Sequence, residues 1–307
     1  MTTNIDRPTL IVVAGPTGSG KTDLSIRLAQ HYAAPILSTD SRQMYIGMPI
    51  GTAQPTPEQL RSVEHHFIAD RMPDREFNCG QYEIEALARL EELFARHRYV
   101  VAVGGSGLYI QALCEGMDEL PQADDDLRRE LHRRLEQEGL QSLVEQLREL
   151  DPQCCSTIDL CNPARVMRAL EVCLLSGRPC SEQRVGHRRE RPFRIVKIGT
   201  LIDRPTLYER IDRRVDQMIA DGLEQEVESM LPFRNCNALQ TVGYRELFAY
   251  IDGKCTREEA IELVKRNSRR YAKRQMTWFR RDAEIAWFAP TDTEAIIEYI
   301  DRKVLQN

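Results

Sequence analysis

No apolar run in the sequence approaches the roughly 18 residues that a membrane-spanning helix needs, so no transmembrane segment is expected. Nor is there a CxxC pair. The nine cysteines (79, 114, 154, 155, 161, 173, 180, 236 and 255) are odd in number and spaced like neither a zinc site nor a disulfide framework. Small buried residues in a reducing cytosol are the expectation for them. The chain lacks internal repeats and low-complexity linkers, which argues against repeat and disordered architectures. Its start, Met1 to Pro8, is polar and leads straight into an apolar strand, so no signal peptide is expected. A large net charge is also missing. The formal value of −5 advertises no nucleic-acid partner, although a basic face can hide in an acidic chain.

What is present is an ordinary globular composition: 307 residues, 42% hydrophobic and 29% charged, enough for one large domain with an insertion or for two modest domains. Thr9 to Ala14 is a continuous apolar run ending in a glycine turn, as a buried parallel strand should be. Thr22 to Tyr32 follows with helical spacing. Pro35 to Thr39 and Tyr99 to Val103 read as further strands, with an amphipathic helix over Gln81 to Arg98 between them. Such alternation predicts an α/β fold, a parallel sheet wound with helices on both faces. Ala123 to Leu150 is then helical and highly charged, and Asn162-Pro163 opens another helix closed by Gly177. A basic stretch follows (Arg184, His187, Arg188, Arg189, Arg191) before a strand over Phe193 to Leu201. Residues 121–192 therefore read as a helical insertion in a core made of 1–120 and 193–307. After Pro205 the chain is expected to be helical almost to its end, with a capping box at Thr256 and Glu259 opening a long helix to Phe279.

Four groups of residues carry chemistry. Gly15-Pro16-Thr17-Gly18-Ser19-Gly20-Lys21-Thr22 matches GxxxxGK[ST] between a predicted strand and a predicted helix, the context a phosphate-binding loop requires. Its glycines free backbone N–H groups to converge on phosphate oxygens, Lys21 adds a positive charge, and the Thr22 hydroxyl is placed to bind Mg²⁺. The motif says phosphate and not which phosphate. Asp40 follows the second strand at the edge where ligands sit in wound sheets; it can bind metal, accept a proton or hold an amine, or else simply shape a turn. Gly104-Gly105-Ser106-Gly107 can form a second anion nest or a tight turn. His65-His66 has no further ligands at metal spacing and reads as structural or as a polar wall of the site. Finally, Lys265, Arg266, Arg269, Arg270, Lys273, Arg274 and Arg280 share one helix with Tyr271, Trp278 and Phe279. Basic groups neutralise phosphates and rings stack on unpaired bases, which points to nucleic acid.

Taken together, the blocks GPTGSGKT (15–22), DSRQMY (40–45), GTAQP (51–55), HHF (65–67), GGSGLY (104–109), RALEV (168–172), RIDRRVDQM (210–218), GLEQEV (222–227), TVGYRE (241–246) and YAKRQMTWFR (271–280) resemble the tRNA dimethylallyltransferases, also called tRNA isopentenyltransferases. The resemblance covers nearly the whole chain and is to the bacterial type, without the C-terminal zinc finger of eukaryotic members. It implies a P-loop NTPase-like core and transfer of a dimethylallyl group from dimethylallyl diphosphate to N6 of the adenosine 3′ to the anticodon, in tRNAs reading codons that begin with U. By that resemblance Gly15, Thr17, Gly18, Ser19, Gly20, Lys21 and Thr22, with Mg²⁺, hold the diphosphate. Asp40, Ser106 and Arg214 are the catalytic positions. Contacts to tRNA carry over to Asp40, Ser41, Arg42 and Gln43, and to Ala164, Arg165, Val166, Met167 and Arg168. They carry over also to Thr241, Val242, Gly243, Tyr244, Arg245 and Glu246, and to Lys273, Arg274, Gln275, Met276, Thr277, Trp278, Phe279 and Arg280. The insertion is implied to grip the anticodon stem-loop, and a cytoplasmic monomer is expected.

Three positions depart from the family pattern: Ser106 stands for a usual Thr and keeps the hydroxyl, Gln54 stands where Lys is commoner, and Ala164 stands where Gln is usual. On residues alone, a P-loop enzyme acting only on small molecules and a non-catalytic RNA-binding protein stay open. The basic aromatic helix argues against the first. A complete GKT and an intact Asp40 argue against the second.

Overall fold

A computed structural model describes residues 7–186 and 188–306. Residues 1–6, His187 and Asn307 lie outside the described residues, and with them most of the polar N-terminal stretch and one member of the basic run at 184–191. The chain divides into two compact units, residues 1–114 with 190–307, and residues 115–189.

The first unit is built on strands β1 (Thr9–Ala14), β2 (Ile36–Ser38), β3 (His65–His66), β4 (Tyr99–Gly104), β5 (Arg194–Thr200) and β6 (Ala286–Phe288). They form one sheet in the order β3-β2-β4-β1-β5-β6, with every pairing parallel. β1 lies between β4 and β5 and is buried along its whole length. Leu10, Val12 and Ala14 enter one core with Leu37, Val100 and Ala102. Ile11 and Val13 enter the other with Ile36, Val101 and Ile198, under Leu24 and Leu28 of helix Lys21–His31 and Ile296 and Ile300 of helix Thr293–Gln306. This period of two on a strand covered on both faces is the reason its sequence is unbroken apolar. No helix of the described residues is long and apolar enough to cross a membrane.

The structure corrects three expectations. β3 and β6 were not anticipated, and β6 interrupts the tail expected to be helical, pairing Ala286 with Ile198. Strands of two and three residues are too short to display a period. The charged helical stretch 123–150 is two helices, Asp125–Glu138 and Leu140–Leu150, because Gly139 adopts a left-handed φ of 81° between them. Only Cys114, Cys154, Cys173 and Cys180 are buried; Cys161 is exposed and the other four are partly exposed.

The second unit packs these two helices and Pro163–Ser176 around Leu131, Leu143, Leu147, Val166, Ala169 and Leu170. Asn162 caps the last helix through Arg165 N, and Gly177 ends it in a left-handed turn. Glu171 is buried and accepts from Arg128 Nε (2.9 Å), Arg168 Nη1 (2.6 Å) and Asp124 N (3.2 Å), a charged knot that ties the start of helix Asp125–Glu138 to the middle of helix Pro163–Ser176.

Candidate active site

The carboxyl ends of β1, β2 and β4 lead into the phosphate loop, the Asp40 turn and the Gly104–Gly107 turn, so the edge of the sheet brings all three to one place. In the first of these, Gly20 has a φ of 87°, a conformation an L side chain resists, and it starts helix Lys21–His31 with no side-chain cap. The first N–H groups of that helix are therefore left for a ligand, the arrangement that favours an anion. Ser19 corrects its expected role in part. Its hydroxyl turns inward, donating to Pro16 O (2.8 Å) and meeting Thr200 Oγ1 (2.6 Å) at the end of β5, so the side chain braces the loop and only its backbone is available to phosphate.

A cavity of about 160 Å³ opens at this edge. Thr17, Lys21, Thr22, Asp40, Arg42, Gln43, Arg214, Thr241, Val242, Gly243 and Gln275 line it, which gathers residues from five sequence blocks. Its apolar wall comes from Ile211, Val215 and Met218 on helix Arg204–Ala220, with Leu223 and Val264. The Lys21 ammonium rests on Pro16 O at 2.6 Å. Burial pushes it down to about 7, Asp40 working against that shift and Arg214 adding to it. Burial also lowers the Arg214 guanidinium below its ordinary value, against the pull of Asp40 and Asp23; a guanidinium stays charged regardless. Two desolvated cations facing one carboxylate leave a site short of negative charge, and a polyanion supplies it. Thr22 Oγ1 has no hydrogen-bond partner among the described residues. That hydroxyl is a hard oxygen donor of the kind Mg²⁺ takes, so the residue expected to hold the ion fits it.

Asp40 shapes a turn and faces the cavity at once. Its Oδ1 accepts from Arg42 N (2.9 Å), its own N–H donates to Ser38 Oγ (3.2 Å), and Oδ2 has no hydrogen-bond partner among the described residues. Ser106 lies one step behind. Its Oγ accepts from Ser41 N (3.0 Å) and donates to Ser41 Oγ (3.1 Å), and it also meets Tyr271, so it steadies the neighbour of Asp40 and is not part of the cavity wall. These contacts set it against the neighbour of Asp40 and against Tyr271, both Asp40 and Tyr271 bordering the cavity.

Helix Arg257–Phe279 presents Val264, Ser268, Tyr271 and Gln275 to the cavity, positions spaced by four, three and four. Ser268 was not singled out, and Tyr271 was named as a ring for stacking on a base and not as cavity wall, although this helical spacing inside a charged segment was the available signal. Burial, then Asp40, pushes the Tyr271 phenol up to about 12. Gln275 is buried: its Oε1 accepts from Thr17 N (2.9 Å) and its Nε2 donates to Gly105 O (2.9 Å), so it clamps two loops together and is not an exposed RNA contact. Lys265 pairs with Asp216 and Arg269 with Asp212, holding the helix that carries Arg214. Arg266, Arg270, Lys273, Arg274 and Arg280 are exposed and have no ion pair among the described residues. Trp278 is 41% exposed beside Gly107.

Other residues expected to contact RNA are buried or already hydrogen-bonded within the protein. Val166, Tyr244 and Phe279 are core residues, and Glu246 is buried, accepting from Gly243 N and Asn267 Nδ2 at 2.8 Å each. Arg168 is tied to Glu171 and Pro121 O, and the Gln43 amide is occupied by Thr52 O and Ala53 O. Ala164, Arg165, Arg245, Thr277 and Arg280 remain on the surface, and Met167 and Met276 are partly exposed. Gln54 donates through Nε2 to both Gln43 O and Tyr45 O at 2.8 Å, a role that needs donors and not a charge.

The model of a family described as IPP transferase matches residues 43–282. A tRNA dimethylallyltransferase 1 of Phocaeicola vulgatus is 49% identical over 292 residues, covering 95% of this chain and 97% of the relative. A tRNA dimethylallyltransferase of Cytophaga hutchinsonii is 49% identical over 295 residues, covering 96% and 97%. The crystal structure of the full-length tRNA isopentenylpyrophosphate transferase of Bacillus halodurans matches with a TM-score of 0.72 at 38% identity, covering 98% of each chain. A family model that spans most of the sequence and relatives about half identical along nearly all of it agree with the site's geometry: the chain belongs to the IPP transferase family, the tRNA dimethylallyltransferases.

Proposed function

We infer that this transferase moves a dimethylallyl group from dimethylallyl diphosphate to N6 of the adenosine 3′-adjacent to the anticodon, in tRNAs reading U-starting codons, giving N6-dimethylallyladenosine and diphosphate. The observation that carries the reading is the convergence of Lys21, Arg214 and Asp40 on one cavity with an apolar wall. The diphosphate lies against the uncapped start of helix Lys21–His31, Lys21 and Arg214, and the five-carbon group against Ile211, Val215 and Met218. As the bond from C1 of the donor to the diphosphate oxygen breaks, charge grows on the leaving group where these cations already stand. C1 bonds to N6, and the N6 proton passes to Asp40 Oδ2, while Arg42 N holds Oδ1 in place. Mg²⁺, held by the Thr22 hydroxyl, would add positive charge on the diphosphate side.

An adenine stacked in an anticodon loop cannot enter a cavity of this size, so it is flipped out to meet the donor. Arg266, Arg270, Lys273, Arg274 and Arg280 suit the phosphates of that loop, and Trp278 offers a face to a base. The helical unit at 115–189 is assigned the anticodon stem, through Arg165 and its exposed neighbours. The enzyme is taken to act as a monomer in the cytoplasm. The test incubates the protein with dimethylallyl diphosphate, Mg²⁺ and either unmodified tRNA or AMP. Prenylated adenosine in tRNA is the expected product; product on AMP alone, or none on either, would overturn the reading.

A further inference from the structure

Behind the cavity, helix Leu223–Ser229 carries a carboxylate with an unusual environment. Glu226 is 9% exposed, and no cation pairs with it among the described residues. Its Oε2 accepts from Ile50 N (2.7 Å), and its Oε1 accepts from Gly51 N (2.8 Å) and from the Tyr244 hydroxyl (2.5 Å). A buried ion without a counter-ion is costly, and three donors are what make it tolerable. One helical turn earlier, Leu223 lines the cavity, so this helix touches the site with one residue and the loop behind it with another.

The loop held by Glu226 is itself cavity wall, through Gly51, Thr52, Ala53 and Pro55. Ala53 sits at a φ of 52°, a left-handed conformation that a non-glycine residue keeps only when its surroundings enforce it. The carbonyls of Thr52 and Ala53 accept both hydrogens of the Gln43 amide, at 3.3 and 2.8 Å. Gln43 Oε1 accepts from Ser38 Oγ at 3.4 Å, and Ser38 Oγ accepts from Asp40 N at 3.2 Å. A path of hydrogen bonds joined by a short stretch of backbone thus runs from Glu226, through the Ile50 and Gly51 amides, the loop, Gln43 and Ser38, to the backbone of Asp40, its longest link the 3.4 Å contact between Ser38 and Gln43.

We propose that Glu226 is a positioning residue for Asp40, acting through the loop at 50–53 and the Gln43 side chain. The proposal rests on the reading of Asp40 as the group that takes the N6 proton. Glu226 anchors the loop, the loop orients the Gln43 amide, and that amide sets the hydroxyl on which the Asp40 turn closes. No residue of the phosphate loop belongs to this path, so loss of the anchor is expected to disturb the proton acceptor more than diphosphate binding.

Glu226→Gln keeps shape but places an NH₂ group against one of the two backbone donors. Displacement of a reacting group by a fraction of an ångström is expected to lower kcat about ten- to a hundredfold, while KM for dimethylallyl diphosphate changes less than about twofold. Gln43→Leu cuts the same path at its far end and is expected to show the same split. In the double variant the losses should not add, because both changes break one chain. Activity is read per folded protein, with thermal unfolding measured in parallel. If Glu226→Gln does not fold, Gln43→Leu decides: a normal kcat overturns the proposal, and a lowered kcat with an intact KM supports it. Wild-type turnover in the separate tRNA assay guards against confusion, since its absence refutes the function and not the path. With wild type active, unchanged kcat in Glu226→Gln, a loss confined to KM, or additive losses in the double variant overturn the proposal.

Discussion

Replacing Gln275 with Ala removes two hydrogen bonds that join the phosphate loop, the Gly104–Gly107 turn and the long basic helix. The carboxamide accepts from Thr17 N and donates to Gly105 O, each at 2.9 Å. Gly105 is buried, and stranding a buried acceptor costs about 1–3 kcal/mol. Thr17 N borders the cavity, where water can replace the acceptor, so its share is about 0.5–1 kcal/mol. The expected loss of stability is therefore about 1.5–4 kcal/mol, large for one substitution. Urea unfolding measures it. With Thr17 no longer fixed, pyrophosphate affinity should fall about tenfold, equivalent to about 1.4 kcal/mol, as read by calorimetry. Gln275→Glu keeps an acceptor for Thr17 N but sets a negative charge beside the phosphates, so it should bind pyrophosphate more weakly than the Ala variant. A Gln275→Ala protein that unfolds within about 0.5 kcal/mol of the parent and binds pyrophosphate equally well, yet loses tRNA, would refute the reasoning and make this side chain an RNA contact.

Asp40→Ala should lower turnover about 10²–10⁴-fold with tRNA binding largely intact; near-normal turnover would remove Asp40 from the mechanism. Ligand-free Lys21 titrates at about 7, and a bound diphosphate favours its charged form. The contribution of Lys21 to pyrophosphate affinity should therefore be present below pH 7 and fall as pH rises above it, with more proton taken up by Lys21 on binding at pH 8 than at pH 6. Calorimetry at pH 8 in two buffers of different ionisation enthalpy reads the proton balance, and the same balance in Lys21→Arg would contradict this. Arg274→Ala should weaken tRNA binding and make the dependence of log K on log salt shallower by about 0.7–0.9; an unchanged slope would mean that Arg274 touches no phosphate.

The elements legible in the sequence are those whose causes are local. The unbroken run Thr9–Ala14, the glycines of the phosphate loop, the Asn162 cap and the Thr256 capping box each act over a few positions, and each forms where the pattern places it. β3 and β6 were not legible, since two or three residues paired at a sheet edge owe their conformation to the neighbouring strand. Within the site, the residues converging on the cavity came from blocks that could be named one by one, but the direction of each side chain could not. Ser19 and Ser106 carry the expected hydroxyls and turn them toward the protein.

Sequence alone determined that a glycine-rich loop of GxxxxGK[ST] pattern follows a buried strand, that a carboxylate follows the next strand, and that a basic aromatic helix lies near the end of the core. Only the tertiary structure decided that Gln275 meets Thr17 across 258 residues of chain, that Glu226 reaches the loop at 50–51, and that Tyr244 and Phe279 are core and not surface. A hydrogen-bond partner or a burial state arises from how helices pack on the edge of the sheet. No period, cap or turn in the neighbouring residues encodes it, because the energy that selects it comes from distant segments brought together by folding.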